Sequence, residues 1–249
     1  DAAEFLNRVY TNAWMKLPVG KARYGLMLRE DGIVMDDGTT TRISENHYHM
    51  TTTTAQAANV LSHLEYYLQI VWPELNVNVV STTEQWAGAA IAGPKSRDML
   101  SKLYPDLDVS NDALPFMGYK EVDFFGVPSR IFRISFSGEL AYEINVKSDH
   151  GLFMWEKMME VGEEFGNQPY GTEALSTLRI EMGHVAGPEL DGRTIPSDVS
   201  LNGLVSKKKD FIGKNSLGRE AFNVESRQKI VGLIPIDRKS SIPEGSHIV

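Results

Sequence analysis

Residues 29–40 have the sequence REDGIVMDDGTT, and the rest of the expected fold is arranged around them. An apolar run, Ile33 to Met35, leads into two adjacent carboxylates, Asp36 and Asp37, before a Gly-Thr pair. Side chains alternate between the two faces of a strand, so these acids point in opposite directions if the strand continues. One acid then faces a pocket, and the other faces water or caps a turn. Asp-Gly is also a common hairpin signal, which leaves open that both acids only form a turn.

The composition is ordinary for a globular protein, with 42% hydrophobic and 23% charged residues in 249. A net charge of -8 argues against nucleic-acid binding, which requires a basic face. The absence of cysteine excludes disulfides, a thiolate nucleophile and cysteine-ligated metal sites. No apolar run approaches the roughly 20 residues of a membrane span, and we expect a cytoplasmic location. Both ends interrupt a helix or strand pattern, so we expect a fragment of a longer protein.

Apolar periodicity predicts two similar cycles, each with a hairpin, a further strand and an amphipathic helix. Each cycle also contains an Arg-Ile-Ser tripeptide, at 42–44 and 133–135. This order predicts an α+β fold with ferredoxin-like layers of helices on hairpin strands. The predicted strands are 24–28, 33–35, 39–43, 47–53, 77–81, 86–92 (buried), 119–125, 130–136, 142–146 and 230–234, and the predicted helices are 54–69, 94–103, 149–161 and 172–182.

The cycles divide the chain into three expected parts. Residues 1–112 form a first α+β half, and residues 113–205 form a second half that ends in a long connection, 184–205. Long connections in compact domains are usually functional or serve as linkers. Residues 206–249 begin a β subdomain that the sequence does not complete.

Candidate chemistry reduces to two carboxylates. Dinucleotide and nucleophile-elbow motifs are absent, and His47 and His49 are too few for a metal site, so we predict no metal. Asp36 ends its apolar strand, whereas Glu143 shares one strand face with Asn145. Glu143 is then either a solvated side chain or a carboxylate that grips a ligand with adjacent N–H donors.

These stretches resemble a known family. REDGIVMDDGTT, FSGELAYEI (136–144) and TLRIEMG (177–183) are similar to the folate-binding aminomethyltransferases, which include the glycine-cleavage T-protein. Longer stretches resemble the C-terminal half of the alpha subunits of heterotetrameric bacterial sarcosine oxidases, and the resemblance runs from Tyr24 to the end. Those stretches are ENHYHMTTTTAQAANVLSHLEYYLQIVWPEL (45–75), TEQWAGAAIAGPKSRDML (83–100), YGTEALSTLRIEMGHVAG (170–187) and SKKKDFIGKNSLGREAF (206–222).

The resemblance implies a T-protein-like clover-leaf of three subdomains around a folate pocket, with the C-terminal β-barrel truncated. It implies that sarcosine, O2 and tetrahydrofolate become glycine, 5,10-methylenetetrahydrofolate and H2O2, with the one-carbon unit captured in this domain. NAD, FAD and FMN would bind the parent complex outside this fragment, and the partners would be the beta, gamma and delta subunits. The fragment alone is not expected to act as an oxidase, and no nucleic acid or membrane partner is expected.

The resemblance implies roles for the residues of this sequence that match functional positions in the family's motifs. Asp36 matches the essential aspartate beside folate N10, which leaves Asp37 as the turn residue. Glu143 matches the glutamate that holds the pterin ring. Phe136 falls where the family has a pocket tyrosine, and Met50 and Thr51 match the strand that lines the pterin site. With an ordinary pKa of about 3.9, Asp36 is ionised at neutral pH. Unless burial raises that pKa, this favours electrostatic stabilisation of a cationic one-carbon group over general-base catalysis.

The sequence departs from the T-protein at two positions. Leu175 replaces an arginine, and a tryptophan expected near 202–204 is absent, so we expect the folate tail to be held differently. A free-standing aminomethyltransferase or demethylase is the alternative enzyme. A non-enzymatic folate-binding protein is the alternative from another class, although that group uses a cysteine-centred motif and this chain has no cysteine.

Overall fold

The computed structural model describes residues 1–243 and 245–247, which form two antiparallel sheets and their covering helices. The first sheet has the order β1-β2-β3, with β1 Lys21–Leu28, β2 Val34–Arg42 and β3 Tyr48–Met50. The second sheet has the order β4-β7-β6-β5, with β4 Trp86–Ala92, β5 Tyr119–Phe124, β6 Val127–Phe132 and β7 Ala141–Lys147. The predicted α+β class is confirmed, and each predicted cycle contains a three-stranded antiparallel meander.

Helices cover one face of each sheet. The helices are α1 Ala2–Val9, α2 Ala57–Tyr66, α3 Ser96–Leu103, α4 Gly151–Gly162 and α5 Thr172–Glu181. Apolar residues of α1 and α2 form a buried core with Met27 of β1. Apolar residues of α3 and α4 form a second core with Ile131 and Ile144. At the opposite face of the first sheet, Leu26 and Val34 pack against Phe211. Ala22, near the start of β1, packs instead against strands of the second sheet.

The hairpin between β1 and β2 turns at residues 30–32, before the apolar run. Arg29 N–H donates to the Ile33 carbonyl at 2.8 Å, and Gly32 has a φ of 90°. Strand β2 continues through both aspartates and Gly38. The expected Asp-Gly turn, with Asp37 as a turn former, is therefore wrong, because Glu30-Asp31-Gly32 supplies the turn instead.

Predicted strands 33–35 and 39–43 are one strand in the structure, and three further predicted strands differ in more than their ends. Residues 77–81 form no strand, because Val77 and Val79 pack on the α1/α2 core without a strand to pair with. Strand β4 exists but lies at the sheet edge, where Ile91 is its one buried residue. Within the described residues, 230–234 pair with no strand, and a single bond from Ile230 N–H to the Asp198 carbonyl holds them.

The second sheet contains a strand from the first predicted half as well as strands from the second. Strand β4 pairs with β7 along its whole length, and α3 packs in the same core as α4. These elements lie before residue 112, whereas β5, β6 and β7 follow it. The division at residues 112 and 205 stays a prediction, and the sheet crosses the first of these boundaries.

No helix in the described part of the chain is both long enough and apolar enough to cross a bilayer.

Candidate functional site

Strand register determines which face of the first sheet each side chain occupies. Residues directly opposite each other in an antiparallel pair share a face. Leu26 pairs with Asp37, whereas Met27 pairs with Asp36, so the two acids lie on opposite faces. We call the face that carries Asp37 the cleft face; its members are Ala22, Tyr24, Leu26, Asp37, Thr39, Thr41 and His49.

One end of the cleft face, at Ala22 and His49, meets the face of the second sheet that α3 and α4 leave uncovered. Ala22 is buried in a small cluster with Tyr119, Phe132 and Ile134. The His49 and Phe132 rings lie with their centroids 5.7 Å apart. Phe132 is directly opposite Glu143 in the pairing of β6 with β7. We call the space between these two faces the inter-sheet cleft. Asp37 lies on the first face, opposite Leu26 in the strand pairing, and Glu143 lies on the second.

Asp37 is a partly buried carboxylate held by a phenol. The Tyr24 hydroxyl donates to Asp37 Oδ2 at 2.6 Å. Burial raises the pKa of Asp37, and the bond from Tyr24 partly offsets that rise. Burial also raises the pKa of Tyr24, with the neighbouring Asp37 charge adding to the effect. The phenol therefore stays protonated and fixes the orientation of the acid.

Asp36 serves the opposite face and is 1% exposed. Thr53 N–H donates to Asp36 Oδ1 at 3.3 Å and to Oδ2 at 3.2 Å. Burial raises the pKa of Asp36 to about 6, although the bonds from Thr53 oppose the shift. The carboxylate thus ties the chain after β3 to strand β2, on the side where α1 and α2 pack.

Asp36→Asn is expected to raise stability at neutral pH and to remove a pH dependence. The folded pKa of about 6 exceeds the ordinary 3.8, so the folded state holds the proton more tightly. Stability therefore falls as pH rises from about 4 to about 6, by up to about 3 kcal/mol. Asparagine keeps one acceptor for Thr53, and we expect a net gain of about 1 kcal/mol at pH 7. Urea unfolding at pH 4, 5, 6 and 7 measures the free energy of unfolding. If that free energy changed with pH in the variant as it does in the wild type, the prediction would be contradicted.

Glu143 is a partly buried carboxylate on the facing wall. Burial alone raises the pKa of Glu143, and no hydrogen bond or charge from the described residues contributes to the shift. Its cross-strand neighbours are Ala90 and Phe132, neither of which can donate a side-chain hydrogen bond. A carboxylate that is desolvated without a donor is costly unless a ligand supplies one.

The other predicted residues take different positions. Thr51 is exposed at the end of β3, and its hydroxyl lies 3.0 Å from that of Thr39 on the cleft face. Met50 pairs with Thr40 on the opposite face and packs against the α1/α2 core. Phe136 is 41% exposed and stacks on His184, with ring centroids 5.7 Å apart. The structure therefore brings Thr51 and Glu143 to the cleft and turns Met50 and Asp36 away from it.

Sequence reasoning missed several cleft residues, notably Tyr24, His49 and Phe132. The period-two pattern of β1 places Tyr24 and Leu26 on one face, but only the register reveals that Asp37 shares that face. The described residues contain no cluster of three or more His, Cys, Asp or Glu that could hold a metal.

Sarcosine oxidase alpha subunits and aminomethyltransferases are similar to this chain. A family model described as the GCVT N-terminal domain matches residues 1–209. Sarcosine oxidase subunit alpha of Rhizobium meliloti (strain 1021) is 53% identical over 100% of this chain and 25% of its own length. The same subunit of Corynebacterium sp. (strain P-1) is 50% identical, over 100% of this chain and 26% of that protein. The chain thus spans about a quarter of these relatives.

More distant relatives share most of the chain. The aminomethyltransferase of Chloroherpeton thalassium is 34% identical over 93% of this chain and 62% of its own length. The crystal structure of glycine cleavage system aminomethyltransferase T from Bartonella henselae superimposes with a TM-score of 0.72. That match covers 86% of this chain and 56% of the other at 23% sequence identity, and it supports the fold.

Proposed function

The chain belongs to the GCVT family of aminomethyltransferase domains, and from this premise we propose that it is the tetrahydrofolate-binding one-carbon transfer domain of a sarcosine oxidase alpha subunit. Identity of 53% and 50% to two such subunits along the whole chain supports this choice. The proposed overall reaction converts sarcosine, O2 and tetrahydrofolate to glycine, 5,10-methylenetetrahydrofolate and H2O2. We assign the NAD, FAD and FMN chemistry, and the beta, gamma and delta subunits, to the remainder of the complex.

The folate proposal rests on the environment of Glu143. Its carboxylate is desolvated, faces the cleft and receives no donor from the described residues. The pterin ring presents an N–H and an adjacent amino group on one edge, and a carboxylate accepts both bonds. The residues present therefore fit the pterin, with Glu143 as its anchor.

Asp37 is the carboxylate we propose beside the reacting nitrogen, in place of Asp36. Tetrahydrofolate, when bound, supplies the nitrogen atoms that take up the one-carbon unit. Asp37 lies on the cleft face, and the Tyr24 hydroxyl holds its Oδ2 atom. A fixed negative charge there stabilises a cationic one-carbon group. Asp36 lies on the other face, where its bonds to Thr53 give it a structural role.

Glu143→Gln is expected to weaken tetrahydrofolate binding at least tenfold. Glutamine loses the charge and can accept only one of the two pterin bonds through its single oxygen. Hydrogen bonds to charged groups contribute about 1.5–3 kcal/mol, and 1.4 kcal/mol is a tenfold change in affinity. Isothermal titration of the protein that carries this chain, under anaerobic conditions, measures the loss.

Glu156→Gln is the matched control, because Glu156 is exposed on α4, on the helical side of the second sheet. It removes the same charge, and we expect no change in affinity. Equal affinities for Glu143→Gln and the wild type would overturn the pterin role.

A second candidate is a free-standing aminomethyltransferase, which the 34% identity to the Chloroherpeton thalassium enzyme favours. The two functions differ in the donor of the one-carbon unit. Sarcosine-dependent O2 consumption coupled to methylenetetrahydrofolate formation supports the first function, whereas turnover with an aminomethyl-carrier protein and no O2 consumption supports the second.

A further inference from the structure

His49 lies on the cleft face, next to Phe132, which is the cross-strand neighbour of the proposed pterin anchor Glu143. It pairs with Thr41 on the cleft face, and its ring centroid is 5.7 Å from that of Phe132. Phe132 is in turn the cross-strand neighbour of Glu143. Such neighbours have their Cβ atoms about 5 Å apart, so His49 and Glu143 are both neighbours of Phe132.

The His49 side chain is partly buried and uncharged at neutral pH. Burial lowers the pKa of His49 to about 4, and the positive charges of Arg130 and His47 add to the effect. A neutral imidazole carries one N–H donor and one acceptor. The cleft therefore presents a neutral donor on the first sheet and a carboxylate acceptor on the second.

The recognition edge of a pterin has the complementary order of groups. The 2-amino group and N3–H are donors, and the adjacent 4-oxo oxygen is an acceptor. Glu143 can accept from the two donors, which leaves the 4-oxo oxygen in need of a donor in a partly desolvated cleft. His49 is the neutral donor that lies beside Phe132 from the opposite sheet.

We propose that His49 is a ligand-binding residue that donates a hydrogen bond to the 4-oxo oxygen of the pterin, so that His49 and Glu143 together select a 2-amino-4-oxo-pteridine. This proposal rests on the folate binding proposed above. It assigns to His49 a specificity role, whereas a purely structural role would need only its packing against Phe132.

The test compares two substitutions at His49 in the protein that carries this chain. His49→Leu removes the donor, whereas His49→Gln keeps an N–H donor of similar reach. We expect His49→Leu to weaken tetrahydrofolate binding about tenfold, and His49→Gln to retain affinity within about threefold. His47→Leu is the matched control, because His47 is exposed and lies two residues away. We expect this variant to bind tetrahydrofolate with the wild-type affinity.

Infrared spectroscopy distinguishes donation from packing. With tetrahydrofolate labelled with ¹³C at C4, the 4-oxo stretch is expected at lower wavenumber in the wild type and in His49→Gln than in His49→Leu. A stretch that is identical in all three proteins would overturn the proposal, as would equal affinity losses for His49→Leu and His49→Gln. If the wild type binds no tetrahydrofolate, the proposed function fails as well, and this result is obtained before any variant is compared.

Discussion

Asp37→Asn is expected to lower the initial rate of 5,10-methylenetetrahydrofolate formation by the enzyme at least a hundredfold while sarcosine oxidation continues at its wild-type rate. The substitution removes the negative charge that faces the cationic one-carbon group and keeps the size of the side chain. Loss of one preorganised electrostatic contact to a reacting group typically lowers the rate about 10²–10³-fold. Asparagine can still accept the bond from the Tyr24 hydroxyl, so the geometry of the cleft wall is retained.

The adjacent acid provides the matched comparison. Asp36→Asn makes the same chemical change one residue earlier, on the face that packs against the helices. Each variant is assayed in the assembled enzyme for O2 consumption, methylenetetrahydrofolate and free formaldehyde. We expect formaldehyde to accumulate only in Asp37→Asn. Accumulation in Asp36→Asn alone would return the catalytic role to the residue that the motif comparison favours.

The sequence predicted the alternation of the two acids, and the family resemblance assigned the catalytic role to Asp36, whereas the strand register places Asp37 on the cleft face. Which acid lies on that face depends on the register of β1 with β2, which the turn at residues 30–32 sets. The register also shifts between Met27 and Leu28, and a residue pattern does not encode such an irregularity in a readable way. Local periodicity therefore predicts the strand, whereas its pairing with β1 determines which face carries each acid.

Long-range contacts explain the other differences. His49 and Phe132 belong to separate meanders, and only packing of the two sheets brings their rings together. The apolar residues Val77 and Val79 match a strand pattern locally, but the α1/α2 core buries them as an unpaired segment. Glu143 was found because its strand alternates cleanly and its flanking motif is long. That Glu143 has no donor beside it among the described residues follows from its cross-strand neighbours, Ala90 and Phe132, and only the strand pairing identifies them.

Gly38→Ala is expected to destabilise the protein by at least about 3 kcal/mol. A Cβ atom at Gly38 would lie 2.0 Å from the backbone oxygen of Thr51 and 2.9 Å from its carbonyl carbon. The obstacle is backbone rather than a flexible side chain, so the strand or the crossing segment has to move. Overpacking against a fixed neighbour typically costs about 1–3 kcal/mol, and a contact this short lies at or above the upper end. The midpoint of urea unfolding measures the loss.

The same contact connects the fold to the site. After β3 the chain crosses over Gly38 and reaches Asp36 through Thr53, while Thr51 stays beside Thr39 on the cleft face. Displacing the crossing segment would therefore release Asp36 and shift Thr51 together, so Gly38→Ala should also weaken folate binding. Gly203→Ala is the control, because a Cβ there meets nothing within 4 Å. Equal unfolding midpoints for the two variants would mean that the crossing segment moves away from Gly38 at no cost, and would contradict the prediction.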